Sequence, residues 1–292
     1  MEGLILPQSE NLRGILFMSL SMAAFTINDA FMKAVTQTLP LFQAIALRGA
    51  IAVLGLLLLA AATGAFRQRI GRRDLRLIGL RSAADVVATI LFLTALLHMP
   101  LAITLGAAIA YGDRIGWRRM TAILAGFVGV MIVIRPGTEG FDRWALLGVG
   151  SVVCVVVRDL AVRPLQGQVP SALVALGAAV AVAVMGWAGT AVQGWQAMSG
   201  AEAAKVLGAG LFLIVGYISS VTAMRHGDIG LVAPFRYTSL LWAIFLGYMA
   251  FSNLPDGWTL IGAAIIVAAG IFTLLRERAL RRRVAQGVGT GC

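Results

Sequence analysis

The stretch HMPLAITLGAAIAYGD, residues 98–113, decides the fold of this chain. Its apolar part, 100–112, has membrane character but is short. Thirteen helical residues cover about 20 Å at 1.5 Å each, against a hydrocarbon core of about 30 Å. Whether this segment crosses sets the number of spans. The parity of that number sets the direction of everything downstream.

The flanking sequence is that of an integral membrane protein. Of 292 residues, 59% are hydrophobic and 13% charged, about half the share of charge in a soluble domain. Apolar runs near the ~20 residues of a spanning helix lie at Gly14–Met32, Leu41–Ala61, Leu77–Leu97, Thr121–Ile134, Leu146–Val162, Ala172–Ala188, Val206–Thr222, Leu231–Ala250 and Leu260–Leu275. Alternation of period two is absent, which argues against a β-barrel. The start of the chain lacks a basic segment followed by a short apolar core and cleavage site, so the first run is expected to be a retained helix.

Charge distribution addresses the doubtful segment. The formal net charge of +11 invites a nucleic-acid reading, but the arginines cluster in short loops between apolar runs, as topology signals do. No nucleic-acid partner is expected. RQRIGRRDLRLIGLR (67–81) is the strongest cytoplasmic signal, and placing it inside puts the N-terminus inside. If 100–112 crosses, GDRIGWRR (112–119) and RERALRRR (276–283) are inside too; if not, both fall outside. The positive-inside rule therefore asks for ten spans, with Lys33, Arg135, Arg143 and Lys205 as the few outer positive charges. The tail Arg276–Arg283 also suits anionic lipid.

An internal repeat explains the short segment. INDAFMKAVTQTLP (27–40) matches VRDLAVRPLQGQVP (157–170), with Asp29 on Asp159 and Pro40 on Pro170. TALLH (94–98) matches TAMRH (222–226). IGWRRMTAILAGFVGVMIVIR (115–135) matches DGWTLIGAAIIVAAGIFTLLR (256–276). The offset between matched residues is 130 at Asp29 and Pro40, 128 over Thr94–His98 and 141 from Gly116, so between His98 and Gly116 the first half is thirteen residues shorter. Restoring them yields a helix long enough to span with tilt. Either the fourth span is truly short or broken, which is physically allowed beside a cavity, or part of it has been lost from the chain; loss is the preferred reading. Five spans per half is odd, so the second half enters the membrane inverted. Inverted repeats are typical of secondary transporters, with the substrate site near the midplane.

At this point the residues resemble a family. NDAFMKA (28–34), ALRGAIA (46–52), LTALLHMPLA (93–102) and YGDRIGWRRMTAILAGFVGVMIVIRPG (111–137) are similar, in order and repetition, to the drug/metabolite transporter superfamily and its EamA-type members. The resemblance covers roughly residues 14–276. It implies an all-α integral membrane fold of ten helices, as two inverted five-helix repeats around a central cavity, with both termini cytoplasmic. The layout would be a cytoplasmic N-terminus (1–13), a first repeat (14–135), an outer linker (136–145), an inverted second repeat (146–276) and a basic cytoplasmic tail (277–292). It also implies export of small amphipathic metabolites across a bacterial inner membrane. Amino acids come first, by analogy with the superfamily's aromatic amino acid exporters. Alternatives are uptake of a larger, nucleotide-like compound, or a membrane enzyme or other protein that does not transport.

Polar residues inside spans are costly and usually face a cavity or a partner. Asp29 and Arg48 have similar depths near the outer side, and Asp159 and Arg236 echo them near the inner side. Both pairs are expected either to brace the structure or to gate the two ends of the cavity. Asp85 either pairs with a loop arginine such as Arg81 or takes up a proton during transport. Asn28, Tyr217, Ser220, Tyr237 and Trp242 are candidate cavity residues, Tyr237 and Trp242 as aromatic walls for a flat substrate. Gly126, Gly129, Gly208 and Gly210 suit close helix packing. His98 and His226 mark span boundaries. The cysteines Cys154 and Cys292 suggest no disulfide framework or zinc site. Neither a metal motif, a nucleophile elbow nor a phosphate-cradling loop is present, so no catalysis, cofactor or metal is expected. Without an ATP site, transport would run on a substrate or ion gradient. The expected partners are a small-molecule substrate and the lipid bilayer, with the chain a monomer or weak oligomer.

Overall fold

The computed structural model describes residues 8–68, 70–98, 169–226, 238–252 and 256–265, together with scattered positions within 132–157, 232–236 and 267–272. The fourth span and nearly all of the fifth lie outside the described residues, as do Asp159, Tyr237, Gly126 and Gly129. Six long helices carry the described fold: α1 (Gln8–Val35), α2 (Leu41–Ala62), α3 (Arg72–His98), α4 (Ser171–Gln193), α5 (Gly200–His226) and α6 (Thr238–Phe251). Five of them are long and apolar enough to cross a membrane: Leu12–Val35, Leu41–Ala62, Arg72–His98, Ala172–Gln193 and Gly200–Ser220. The chain is an all-helical membrane protein.

Local sequence explains the helix ends. Pro40 and Pro170, matched in the repeat, both stand at the N-cap of a helix in extended conformation (φ −55°, ψ 138° and φ −59°, ψ 129°). Proline lacks the N–H that a helix start would leave unpaired. The matched histidines His98 and His226 both end helices, α3 and α5. The α5 start is a capping box. Ser199 N–H and hydroxyl donate to Glu202 Oε2 at 2.7 and 2.8 Å, and Glu202 N–H donates to Ser199 Oγ at 3.3 Å. Asp256 caps the helical segment 257–265 by accepting from Thr259 N–H at 3.0 Å. Several helices run past their apolar core by a turn or more. In α3 the extension holds Arg72, Arg73 and Arg76, whose long side chains can reach the polar headgroups.

Contact registers give the helix directions. Along α2, Ala46 and Gly49 meet Gly186 and Ala183 of α4, and Leu56 packs with Ala175 and Leu176. Rising numbers meet falling ones, so α2 and α4 are antiparallel. Met18, Ser21 and Phe31 of α1 meet Ala223, Gly216 and Gly208 of α5, again antiparallel. Ile51 and Gly55 of α2 meet Gly210 and Ile214 of α5 in parallel. Ile78 of α3 packs on Val174 and Gly177 of α4. It follows that α3 and α4 point the same way: His98 ends α3 at one end of the bundle and Ser171 begins α4 at the other. One end carries Arg67, Arg72, Arg73 and Arg76. The other carries the short turns 36–40 and 194–199, which hold no charged residue.

The closest approach is between α2 and α4. A Cβ on Gly186 would lie 2.6 Å from the Ala46 backbone nitrogen and 2.8 Å from its Cα. A Cβ on Gly49 would lie 2.9 Å from the Ala183 Cβ. Small residues spaced in this way let two helix backbones touch, which is the main source of helix attraction where lipid offers no hydrophobic gain. Gly210 and Gly208, expected to serve packing, receive Ile51 and Phe31. Among the described positions of the sixth span, Gly150 faces Leu91 of α3. The core at the uncharged end joins Met32, Val35, Ile45, Leu93, Leu96, Val206 and Ala243. Leu54, Leu58, Val184, Leu211, Leu241 and Phe245 point outward, as lipid-facing side chains do.

Gly186→Ala is expected to lower stability by about 1–3 kcal/mol, because the obstructing atoms are backbone and cannot swing away. Gly79→Ala, with nothing within 4 Å of its Cβ, is expected to be neutral or slightly stabilising. Thermal unfolding of the purified protein in one detergent compares the two.

Candidate functional site

Three helices bring polar side chains together inside the bundle. Asn28 and Asp29 lie on α1, about 10 Å before its end, Arg48 on α2 and Tyr217 on α5. Arg48 is 7% exposed, Asp29 9% and Asn28 2%. Arg48 Nη1 donates to Asn28 Oδ1 at 3.4 Å, and Asn28 Nδ2 donates to Asp29 Oδ1 at 2.9 Å. Asn28 thus stands between Asp29 and Arg48, bonded to both. Arg48 Nε is buried and has no hydrogen-bond partner among the described residues. The Tyr217 ring stands edge-on to Phe25, 5.5 Å between centroids. One turn away, the buried Ser21 hydroxyl donates to the Gly216 carbonyl at 2.8 Å and ties α1 to α5.

The sequence explains the placement. Asn28 and Asp29 sit on a helix whose neighbouring positions Thr26, Ala30 and Met32 are buried. Arg48 lies among the buried Ala44, Ile45, Ala46, Gly49 and Ala52 of α2. No lipid-facing position is open to either residue at that register. The two charges must satisfy one another through the protein, since a charge left alone in an apolar interior is costly.

The other candidates lie elsewhere. Ser220 is half-buried on α5, one turn beyond Tyr217. Trp242 is exposed on α6, edge-on to Phe245 at 6.2 Å, and is not brought to the cluster. Arg236 is exposed in a short turn before α6 and its carbonyl accepts from Ser239 Oγ at 2.9 Å. Its expected partner Asp159 lies outside the described residues, as does Tyr237. Asp85 is buried on α3 with its Oδ2 3.6 Å from Arg81 Nε one turn earlier.

Two further polar residues join helices at the end of the bundle that carries the turns 36–40 and 194–199. Lys33, counted from the sequence among outer-loop charges, is instead buried in the last turn of α1, because the helix continues to Val35. Its ammonium donates to the Leu96 carbonyl at 2.9 Å and lies 5.6 Å from the centroid of the Phe251 ring. Leu96 belongs to the last turn of α3, whose carbonyls lack helical donors and favour a cation. Lys33 thereby fastens α1 to α3 and α6. Gln43, fully buried near the start of α2, donates from Nε2 to the Gln196 carbonyl at 2.8 Å and accepts from Gln196 N–H at 3.0 Å. It pins the α4–α5 turn. The sequence signals that pointed to them were a lone lysine at the edge of an apolar run and a lone amide just after a helix-starting proline.

No family model matches the chain. It is 30% identical over 186 residues to a riboflavin transporter of Rhizobium johnstonii, covering 64% of this chain and 62% of that protein. It is 28% identical over 202 residues to an S-adenosylmethionine uptake transporter of Rickettsia felis, covering 68% and 66%. These two matches span just under two thirds of each relative's length. The pseudopaline exporter CntI of Pseudomonas aeruginosa is 25% identical over 276 residues, covering 88% of this chain and 94% of that protein. A crystal structure of a protein 19% identical superposes with a TM-score of 0.67 over 92% of this chain and 99% of that one, which shows a shared fold. The named relatives are membrane transporters of small molecules, and the chain is a multi-pass membrane protein related to them.

Asn28→Leu removes the bridge between Asp29 and Arg48 and leaves two buried charges short of a partner. It is expected to destabilise the protein by about 1–3 kcal/mol, well above the average of about 0.6 kcal/mol for an interhelical hydrogen bond in a membrane. Lys33→Met, which keeps the apolar stem, is expected to cost less. Unfolding titrations of the three proteins in mixed micelles give the order.

Proposed function

We propose that this chain is a secondary transporter of the bacterial inner membrane. It has ten spans in two inverted five-helix repeats and exports small amphipathic metabolites, amino acids foremost, by alternating access. The observation that carries this reading is the buried polar cluster at the junction of the two halves. Asn28, Asp29 and Arg48 come from the first half, and Phe25, one turn before Asn28 on α1, meets Tyr217 of the second half edge-on. A polar group buried at the interface of two repeats is where a transporter of this design binds its cargo.

Helix directions support the ten-span arrangement. With α3 and α4 parallel, the reading takes the chain between His98 and Ser171 across the membrane an odd number of times. Three crossings fit if 100–112 is one of them, whereas the two longer apolar runs alone would not. The repeat partners α2 and α4 are antiparallel, as inversion requires. The arginine-rich end is read as cytoplasmic, with both termini on that side. The cavity is assigned to Asn28, Tyr217, Ser220 and Tyr237; Trp242, exposed on α6, is left out of it. Asp29–Arg48 and Asp159–Arg236 are assigned to its two ends, and Asp85, held by Arg81, is the candidate for proton coupling.

A second reading, uptake of a larger metabolite, draws on the relatives named for riboflavin transport and for uptake of S-adenosylmethionine. The exporter reading draws on the relative named for pseudopaline export, whose match covers more of both chains.

Two experiments test these readings. Liposomes holding the purified protein are expected to show saturable flux of radiolabelled aromatic amino acids, reduced by unlabelled competitors. Flux of riboflavin or S-adenosylmethionine with none of amino acids would favour the second reading. For topology, Gln68→Cys and Ser199→Cys are made singly in a chain whose Cys154 and Cys292 are replaced by serine. An impermeant maleimide is expected to label position 199 in intact cells and position 68 only after lysis.

A further inference from the structure

We propose that Arg48 is the receptor for a carboxylate on the transported molecule, with Asn28 as the positioning residue that keeps the guanidinium available. The inference rests on the transporter reading and names the chemistry of its site.

The guanidinium is buried, and its hydrogen bonding is incomplete. An arginine carries five N–H donors in a planar fork. The bond from Nη1 to Asn28 is, at 3.4 Å, near the limit of a hydrogen bond, and Nε has no partner among the described residues. Buried polar groups in folded proteins are nearly always paired, so an unmade donor on a buried cation needs a reason. The nearest negative group does not supply the missing bond. Asp29 Oδ1 is taken by the Asn28 amide at 2.9 Å, and Asp29 stabilises Arg48 through space without closing a fork on it. Asn28 thus has two effects: its oxygen steadies the arginine, and its amide holds the aspartate.

A planar cation with an open edge, set in an apolar surround, is matched by a planar anion. A carboxylate accepts two parallel N–H bonds from such an edge. Asp29, a short distance away, then faces whatever the ligand carries next to its carboxylate, and an ammonium group fits there. Phe25 of α1, one turn from Asn28, and Tyr217 of α5 meet edge-on nearby and offer aromatic surface for an apolar side chain. The best match is a zwitterion of amino acid type with an apolar side chain. The guanidinium is covered in this conformation, so the ligand gains access when the helices around the cluster part.

The test is a binding panel on the full-length protein in lipid nanodiscs, read by the shift in thermal unfolding. The probes are L-phenylalanine, 3-phenylpropionate, L-phenylalaninamide and phenethylamine. The two carboxylates are expected to bind roughly ten- to a hundredfold more tightly than the amide and the amine, the ratio set by hydrogen bonds to a charged group. Arg48→Gln is expected to erase that preference. Arg48→Lys, which keeps the buried charge and guards against misfolding, is expected to keep weak binding without the full ratio. Equal binding of acid and amide by the wild type, or a preference that survives in Arg48→Gln, overturns the proposal. So does a folded wild-type protein that binds no member of the panel. Flux of a neutral or cationic metabolite by the same purified protein in liposomes would then leave the transporter reading standing while the carboxylate receptor falls.

Discussion

The contact between α2 and α4, where Gly186 sits against the Ala46 backbone and Gly49 against Ala183, sets the geometry of the described bundle. In lipid, helices gain little by hiding apolar side chains from one another, so they associate where backbones come close enough for dense packing. That approach fixes the rotation of α2. Arg48, two residues from Ala46 and next to Gly49, is then carried into the bundle toward α1 and α5. Gln43, one turn earlier, is carried to the α4–α5 turn.

Polar side chains then complete the joints that packing begins. Ser21 holds the Gly216 carbonyl of α5, Lys33 the Leu96 carbonyl of α3, and Gln43 both backbone groups of Gln196. Each joins one helix to the main chain of another element. The Leu96 carbonyl, in the last turn of α3, is left without a helical donor, and Lys33 satisfies it. Two of the three joints lie at the end of the bundle that carries the turns 36–40 and 194–199. The Asn28–Asp29–Arg48 chain lies deeper, about 10 Å in from that end. It differs in kind, being made of side chains that satisfy one another incompletely.

Much of the helix layout was legible in residue patterns. Apolar length located α1 to α5, and the repeat marked the same punctuation twice: Pro40 and Pro170 start helices, His98 and His226 end them. The charge of 67–81 marked one end of the bundle. Helix ends were less legible. Apolar content falls off where a side chain nears headgroups, while the hydrogen-bonded backbone continues. That is why α1 reaches Val35 and buries Lys33, which composition alone assigned to a loop.

What the sequence determined by itself was therefore a set of membrane-length helices, their order and the residue types that are costly inside them. It named Asp29 and Arg48 as sharing a depth, because depth follows from counting along a helix at 1.5 Å per residue. Only the tertiary structure decided that Asn28 stands between them, that Tyr217 of α5 meets Phe25 one turn away on α1 and that Trp242 turns outward on α6. The reason is physical. A helix of 3.6 residues per turn fixes which side chains share a face, but rotation about its axis is set by packing against neighbours far away in the chain.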